Sequence, residues 1–411
     1  MVYHGFADLK ETGLTGIALK DQKRKKNILR HFSEKGESTI PELADLLNIS
    51  VPKATEVIAE LLKEELLVDT KRKTDGPGRK AAIYSLNPDS CYFLGIEIRK
   101  YEINIALMNF NAGIVESALN IPFTYLEITE STNEISKEIK KFLSKKNIYK
   151  EKIIAMGLSL SGRINVKTSN ILSNYHFGNA PLKATLEKEF GLPVFLDNDS
   201  RTLSYGEYYF GNEGFPYHEK NVCVVNMDYG MAIGIFINGL PVYGTSGYAG
   251  EIGHIPMFDT EKICFCGKKG CLETEASGMA LIDLINKKIN EGSSSHLEQI
   301  ITQKSYLELE DIIEVVNMGD NLALEAVREI ANNLGRGLAV AINMLNPELI
   351  ILSGMLSELG EPLLLPVKTS IMQYSLALVN SDTRITLSGI GAKAGLHGCC
   401  LLVRDKVLGL V

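Results

Sequence analysis

Gly250 to Glu273 reads G-E-I-G-H-I-P-M-F-D-T-E-K-I-C-F-C-G-K-K-G-C-L-E. Three of the chain's seven cysteines, Cys264, Cys266 and Cys271, fall in this stretch, with His254 ten residues before the first. Three thiolates and one imidazole are the donor set of a closed, tetrahedral Zn²⁺ site. Gly267 and Gly270 allow the short loop to fold back around an ion. The competing reading is three buried thiols beside an ordinary histidine, and the scarcity of cysteine elsewhere weighs against it. Glu251 and Glu273 flank the cluster, so a metal knot would hold two carboxylates beside each other. That arrangement suits the hydroxyls of a polyol.

Working outward, 411 residues exceed one ordinary core and predict two or three domains. With 45% apolar and 23% charged residues the composition is that of a soluble globular protein. The sequence has no apolar run of about 18 residues and no signal-peptide-like start, which predicts a cytoplasmic protein with no membrane partner. Cys91, Cys223, Cys399 and Cys400 lie within apolar runs and need no disulfide partner. The net charge of −7 excludes a protein that coats nucleic acid with its whole surface. It conceals an asymmetry. Residues 20 to 86 carry 14 Lys and Arg against 11 Asp and Glu, so a basic head precedes an acidic body.

That head has a readable order. Residues 1 to 19 show no period. From Asp21, K-R-K-K-N-I-L-R-H-F places Ile28, Leu29 and Phe32 on one helical face. Ser38-Thr39-Ile40-Pro41-Glu42 supplies a hydroxyl cap and an early proline for a second helix that ends at Asn48. Ser50 caps a third, with Pro52 in its first turn and Ala54, Val57, Ile58, Leu61 and Leu62 at helical spacing. Two short helices joined by a three-residue turn make a helix-turn-helix. The next segment, residues 66 to 86, reads as two strands around Gly76-Pro77-Gly78, the wing of a winged helix. Ser50, Lys53, Thr55 and Glu56 would face base edges, and Lys71, Arg72, Lys73, Arg79 and Lys80 would face phosphates of double-stranded DNA. The alternative is a three-helix domain whose charged hairpin serves protein contacts.

Asn87-Pro88-Asp89-Ser90 closes this module, giving a DNA-binding domain over 1–88 and a body over 89–411. In the body, strand text such as Y-F-L-G-I-E-I-R, I-I-A-M-G-L-S-L, V-F-L-D-N-D, V-C-V-V-N-M-D and L-I-I-L-S-G alternates with helical text, an α/β pattern. Asn198-Asp199 follow directly on an apolar strand, at the end where side chains enter a cleft. Alternatively they cap the helix that begins at Ser200. Long helices near Ala323–Leu345 and Pro362–Leu378 read mostly as core, with an oligomer face as the other possibility.

C-x-C-G-x-x-G-C-x-E preceded by G-E-x-G-H resembles the signature of the ROK family, which groups sugar-responsive repressors with sugar kinases. The resemblance implies a winged helix-turn-helix followed by a two-lobed, actin-like (ribonuclease-H-like) body. It implies a structural zinc on His254, Cys264, Cys266 and Cys271, and a sugar held by Gly162, Asn198, Asp199, Glu251, His254 and Glu273. It also implies a monosaccharide effector, a homodimer or tetramer, and in some members a phosphotransferase-system protein as partner. In the kinases an aspartate at the place of Asp199 is the general base. Those kinases carry an acidic-x-Gly-x-Thr-Lys-like turn where this chain has Glu97-Ile98-Arg99-Lys100-Tyr101-Glu102. They carry Gly-Thr-Gly-x-Gly-x-Gly where it has Asp228-Tyr229-Gly230-Met231-Ala232-Ile233-Gly234. A third loop, Leu352-Ser353-Gly354-Met355, keeps one of its usual glycines. The resemblance therefore implies a transcriptional regulator of the repressor kind, with an ATP-dependent sugar kinase as the alternative.

Overall fold

The structure, a computed structural model, describes residues 16–72, 82–99, 101–124, 128–145, 150–169, 171–172, 182–212 and 217–411. The chain divides into two compact units. One comprises Met1–Leu160, Tyr175–Asp197 and Cys399–Val411, the other Ser161–Asn174 and Asn198–Gly398.

The first unit begins with the head. Helix Gly16–Lys35 precedes Ile40–Leu47 and Val51–Lys63. Thr39 N–H donates to Glu42 Oε2 at 2.7 Å and Thr39 Oγ1 donates to the same oxygen at 2.9 Å, so Glu42 reaches back to hold the start of this helix. Asn48 ends the second helix in the left-handed region at φ 50°, and Ser50 Oγ accepts from Lys53 N–H at 3.4 Å to start the third. Strands Leu67–Arg72 and Ala82–Leu86 pair antiparallel as the two sides of the wing. Glu37–Thr39 adds a third strand on the other side of Ala82–Leu86, a pairing too short to be seen as alternation.

Beyond the head, five strands lie in the order Val194–Asn198, Ile153–Leu160, Tyr92–Ile98, Glu102–Asn109, Ile114–Pro122. Tyr92–Ile98 is buried throughout and pairs parallel with Ile153–Leu160 and antiparallel with Glu102–Asn109. The last helix, Ala394–Leu408, reaches this sheet through Cys399 onward. A Cβ on Gly95 would stand 2.4 Å from Cys400 Sγ, and one on Gly157 2.3 Å from a Val403 methyl, so two bare strand positions admit the helix. Ile28, Leu29, Phe32, Val57, Ile58 and Leu61 of the head share one apolar cluster with Phe93, Phe110, Ala155, Val403 and Leu408. The segment from Asn87 to Ser90 is tied down as well, with Asn87 Nδ2 donating to Glu65 O and Lys152 Nζ to Asp89 O, both at 2.7 Å. Residue 88 thus marks a change of topology inside continuous packing.

The second unit has its own five-stranded sheet, ordered Leu240–Pro241, Met231–Ile237, Val222–Met227, Leu349–Ser353, Arg384–Leu387. Val222–Met227 runs antiparallel to Met231–Ile237 and parallel to Leu349–Ser353. Its core is filled from helices Gly278–Asn290, Leu309–Asn317, Asn321–Leu345 and Glu361–Tyr374. Asn321–Leu345 buries a stripe from Leu322 to Ile342, as its period predicts, and is capped by Asp320, which accepts from Ala323 N–H at 3.0 Å. Among the described residues no helix is long and apolar enough to cross a membrane.

Candidate functional site

The site lies within the second unit. After Met231–Ile237 and a single turn at Ile252–His254, the chain makes a knuckle closed by bridges between Pro256 and Cys271 and between Ile263 and Lys269. Gly267 (φ 82°) and Gly270 (φ 70°) occupy the left-handed region, and a Cβ on Gly270 would lie 1.9 Å from Phe258 O. The ligand atoms of His254, Cys264, Cys266 and Cys271 all fall within 4.8 Å of one another. Cys266 and Cys271 sulfurs are 3.6 Å apart, and His254 Nδ1 is 3.4 Å from Cys264 Sγ. A tetrahedral ion with Zn–S of about 2.3 Å and Zn–N of about 2.0 Å requires edges of about 3.8 and 3.6 Å, so the four donors fit such an ion. The other four cysteines are free and buried, and burial pushes the thiols of Cys91, Cys223 and Cys400 up to about 12, which leaves them inert.

From the knuckle, a continuous chain of polar contacts runs to the end of the strand Val194–Asn198. His254 Nε2 is 3.6 Å from Glu251 Oε2, and its Nδ1 is 3.9 Å from Glu273 Oε1. The ring thus turns one nitrogen to the thiols and the other to Glu251, an arrangement seen for metal-bound histidines held by carboxylates. Glu273 Oε2 accepts from Met231 N–H at 3.2 Å. Arg163 Nε lies 3.5 Å from Glu251 Oε2, Asn198 Nδ2 donates to Gly162 O at 2.9 Å and to Asp199 Oδ1 at 2.9 Å, and Ser161 Oγ donates to Asp199 Oδ2. Asn198 Oδ1 also caps helix Asp199–Phe210 by accepting from Arg201 N–H at 3.2 Å. The capping reading of this pair is therefore met by Asn198.

A cavity open to solvent is lined by Gly162, Arg163, Asn198, Arg201, Gly247 and Glu251 among others. Asp199, His254 and Glu273 are not among the lining residues; Asp199 is bonded to Asn198, His254 Nε2 lies 3.6 Å from Glu251, and Glu273 accepts from Met231 N–H. Arg163, Arg201 and Ser161 were not singled out by sequence. The one available signal was the position of Ser161 and Arg163 on either side of Gly162.

The loops that depart from the kinase pattern make contacts within the chain. In the first unit, Arg99 is held by Glu97 (Nε to Oε2, 3.2 Å) and Glu102 (Nη1 to Oε1, 3.1 Å), and Asn104 Nδ2 also donates to Glu97 Oε2 at 3.0 Å. Lys100 lies outside the described residues. In the second unit, Asp228 Oδ1 accepts from Met355 N–H at 2.7 Å, joining the second loop to the third. Its carbonyl accepts from Gly278 N–H at 2.9 Å. Tyr229 is 37% exposed.

In the head, Ser50, Thr55 and Glu56 are exposed at the start of helix Val51–Lys63. Lys53 is half-buried and pairs with Glu56 at 2.9 Å and Asp21 at 3.5 Å. Lys71 and Arg72 belong to the first wing strand, whereas Lys73, Arg79 and Lys80 lie outside the described residues.

These parts define a class: a winged helix-turn-helix joined to an actin-like α/β body. The ROK family model matches residues 93–406, and a winged helix-turn-helix DNA-binding model matches residues 21–68. The chain belongs to the ROK family. It is 27% identical over 381 residues to the xylose repressor of Caldicellulosiruptor bescii, covering 90% of this chain and 91% of that one. It is 31% identical over 320 residues to a glucokinase of Halalkalibacterium halodurans, covering 77% of this chain and 96% of that one. A crystal structure of a ROK family transcriptional regulator, a homologue of the Escherichia coli MLC protein, superposes with a TM-score of 0.80 at 24% identity over 95% of this chain and 96% of that one. These relatives include both repressors and a kinase, and the repressor and regulator matches cover the larger share of this chain.

Proposed function

We propose that this chain is a DNA-binding transcriptional regulator, a repressor of sugar-metabolism genes, whose body binds a monosaccharide or derivative as effector. Residues 1–88 read DNA and residues 89–411 bind the sugar. Ser50, Lys53, Thr55 and Glu56 meet base edges, and Lys71, Arg72, Lys73, Arg79 and Lys80 lie along phosphates. Gly162, Asn198, Asp199, Glu251, His254 and Glu273 form the sugar site. His254, Cys264, Cys266 and Cys271 hold a structural Zn²⁺, which supplies rigidity to the segment that carries Glu251 and Glu273.

The observation that carries this reading is a contrast. Asn198 and Glu251, an amide and a carboxylate suited to hydroxyls, line a cavity, while Arg99 and Asp228, in the loops where kinases seat phosphates, are bonded to neighbouring groups of the chain. A homodimer would read two half-sites about 34 Å apart, or a multiple of it. An inducing sugar must bind the DNA-free state better, and moving a 1:99 balance to 99:1 takes about 5.5 kcal/mol of differential affinity. A gel-shift assay on the DNA upstream of the chain's own gene, with and without a panel of monosaccharides, tests the reading. A retarded band that one sugar releases is expected, and no band at low salt overturns it.

The 31% identity to a glucokinase and the retained Asp199 favour a second reading, an ATP-dependent sugar kinase with an added DNA-binding head. Sugar-dependent ADP release that disappears in Asp199→Ala would establish it.

A further inference from the structure

We propose that the operator is read through the methyl groups of thymines, and that Val51 and Thr55 are the residues that read them. The inference rests on the DNA-binding reading above and narrows what the second helix of the helix-turn-helix, Val51–Lys63, recognises.

Residue types limit the chemistry first. Residues 50–60, S-V-P-K-A-T-E-V-I-A-E, contain no arginine, asparagine or glutamine. Arginine and lysine recognise guanine, and asparagine and glutamine recognise adenine, each through two hydrogen bonds at once. The one cation of this segment, Lys53, is committed, with its Nζ 2.9 Å from Glu56 Oε2 and 3.5 Å from Asp21 Oδ1. Ser50 Oγ is engaged as well, accepting from Lys53 N–H as the helix cap. The start of this helix is therefore poor in groups for two-point recognition of a purine. The major groove still offers the thymine C5 methyl, which is read by apolar contact.

The fold supplies the matching surface. Ala54, Val57, Ile58 and Leu61 are buried, whereas Val51 and Thr55, one turn apart, are both exposed, Val51 at 49%. Thr55 Oγ1 donates to Val51 O at 2.8 Å. Its hydroxyl hydrogen is thus spent within the helix, and the methyl is what Thr55 has left to give a base edge. Residues four apart on a helix stand about 5–6 Å from each other, which spans thymines one to two steps apart on a strand rising about 3.4 Å per base. The carboxylates of the same helix are matched by cations, Glu56 by Lys53 and Glu60 by Lys25, both at 2.9 Å. That pairing offsets their repulsion of the phosphates on either side of the groove.

A duplex selected from a random pool by the full, zinc-loaded chain supplies the operator for the test. Fluorescence anisotropy then compares it with duplexes in which each thymine in turn is replaced by deoxyuridine, which lacks only the C5 methyl. Affinity is expected to fall about three- to fivefold at one or two thymines of each half-site, the worth of one buried methyl, and to hold elsewhere. Val51→Ala and Thr55→Ser should each lose the discrimination at one thymine, while Thr55→Val, which keeps the methyl, retains it; melting temperatures verify that the variants fold. A loss under twofold at every thymine, half-sites selected without thymine, or the parent's uracil penalty persisting in both Val51→Ala and Thr55→Ser would each overturn the proposal. A specific operator indifferent to uracil defeats this inference alone. Selection of no sequence at all defeats the DNA-reading function as well.

Discussion

Asp228 Oδ1 accepts a hydrogen bond from the backbone N–H of Met355 at 2.7 Å, so a carboxylate of the protein occupies a donor in the third of the loops that cradle phosphates in the kinases. Backbone N–H groups in such loops attract anions. Here the anion is built in, and Gly354 at φ 81° brings the loop close, since a Cβ there would lie 2.5 Å from Asn226 Oδ1.

This contact predicts weak nucleotide binding with an identifiable cause. A carboxylate about 4 Å from a phosphate costs about 4 kcal/mol at an effective dielectric of about 20, or roughly a thousandfold in affinity. Asp228→Gly should therefore raise affinity for a fluorescent ATP analogue by at least tenfold over the parent chain. Sugar-dependent turnover should stay absent, because the ion pairs of Arg99 with Glu97 and Glu102 still fill the first hairpin. An unchanged titration in Asp228→Gly would show that the carboxylate is not the obstacle.

The knuckle yields a second prediction. Removing the ion, or one ligand in Cys266→Ser, should lower zinc content to near zero and loosen the segment between Glu251 and Glu273. Sugar affinity should fall roughly 10- to 100-fold, the range seen when groups that orient a metal site are lost. Cys223→Ala, which alters a buried thiol on the strand Val222–Met227, should leave zinc content intact. Metal analysis beside calorimetry separates the two cases.

These features differed in how far the sequence disclosed them. The His254, Cys264, Cys266 and Cys271 set was legible because ligand chemistry constrains both residue type and spacing over eighteen residues. The helix-turn-helix was legible through Thr39, Asn48 and Ser50, where capping is a local matter. Arg163 and Arg201 went unnoticed because a lone arginine has no period or spacing to announce it. Only the fold brings the two to one cavity. Asp228 stands in the sequence where the kinase pattern has glycine, but the Met355 amide that it accepts from is 127 residues away, beyond the reach of any local pattern. The shared cluster of Phe32, Phe93 and Leu408 was hidden for the same reason, being assembled from three distant segments.

Glu207 sets a pH dependence. Its Oε1 accepts from Ser353 Oγ at 2.7 Å and from Ser388 Oγ, and burial raises its pKa above the usual carboxylate range. The folded state therefore holds a proton that the unfolded chain releases near pH 4.5, so stability contributed by this group is present below that pH and declines as pH rises toward the folded value. Thermal melts from pH 4.5 to 7 should show this decline, and Glu207→Gln should flatten it. Equal slopes in parent and variant would assign the dependence elsewhere.

Lys406 predicts a link between the last helix and the head. Its Nζ lies 2.8 Å from Asp197 Oδ2, with the two side chains 17% and 4% exposed, and Asp197 immediately precedes Asn198. Three residues before Lys406 and two after it, Val403 and Leu408 enter the apolar cluster that contains Ile28, Leu29 and Phe32 of the head. Lys406→Met leaves the Asp197 carboxylate buried without its cation, a change that costs about 3 to 5 kcal/mol in comparable sites. Because the cluster is continuous, the melting temperature and operator affinity should fall together rather than separately. Asp197→Asn combined with Lys406→Met should recover much of both, since an uncharged pair removes the stranded carboxylate. A double-mutant cycle read by melts and by fluorescence anisotropy on labelled DNA measures the coupling, and full operator affinity in a destabilised Lys406→Met chain would show that the head holds its shape independently of this helix.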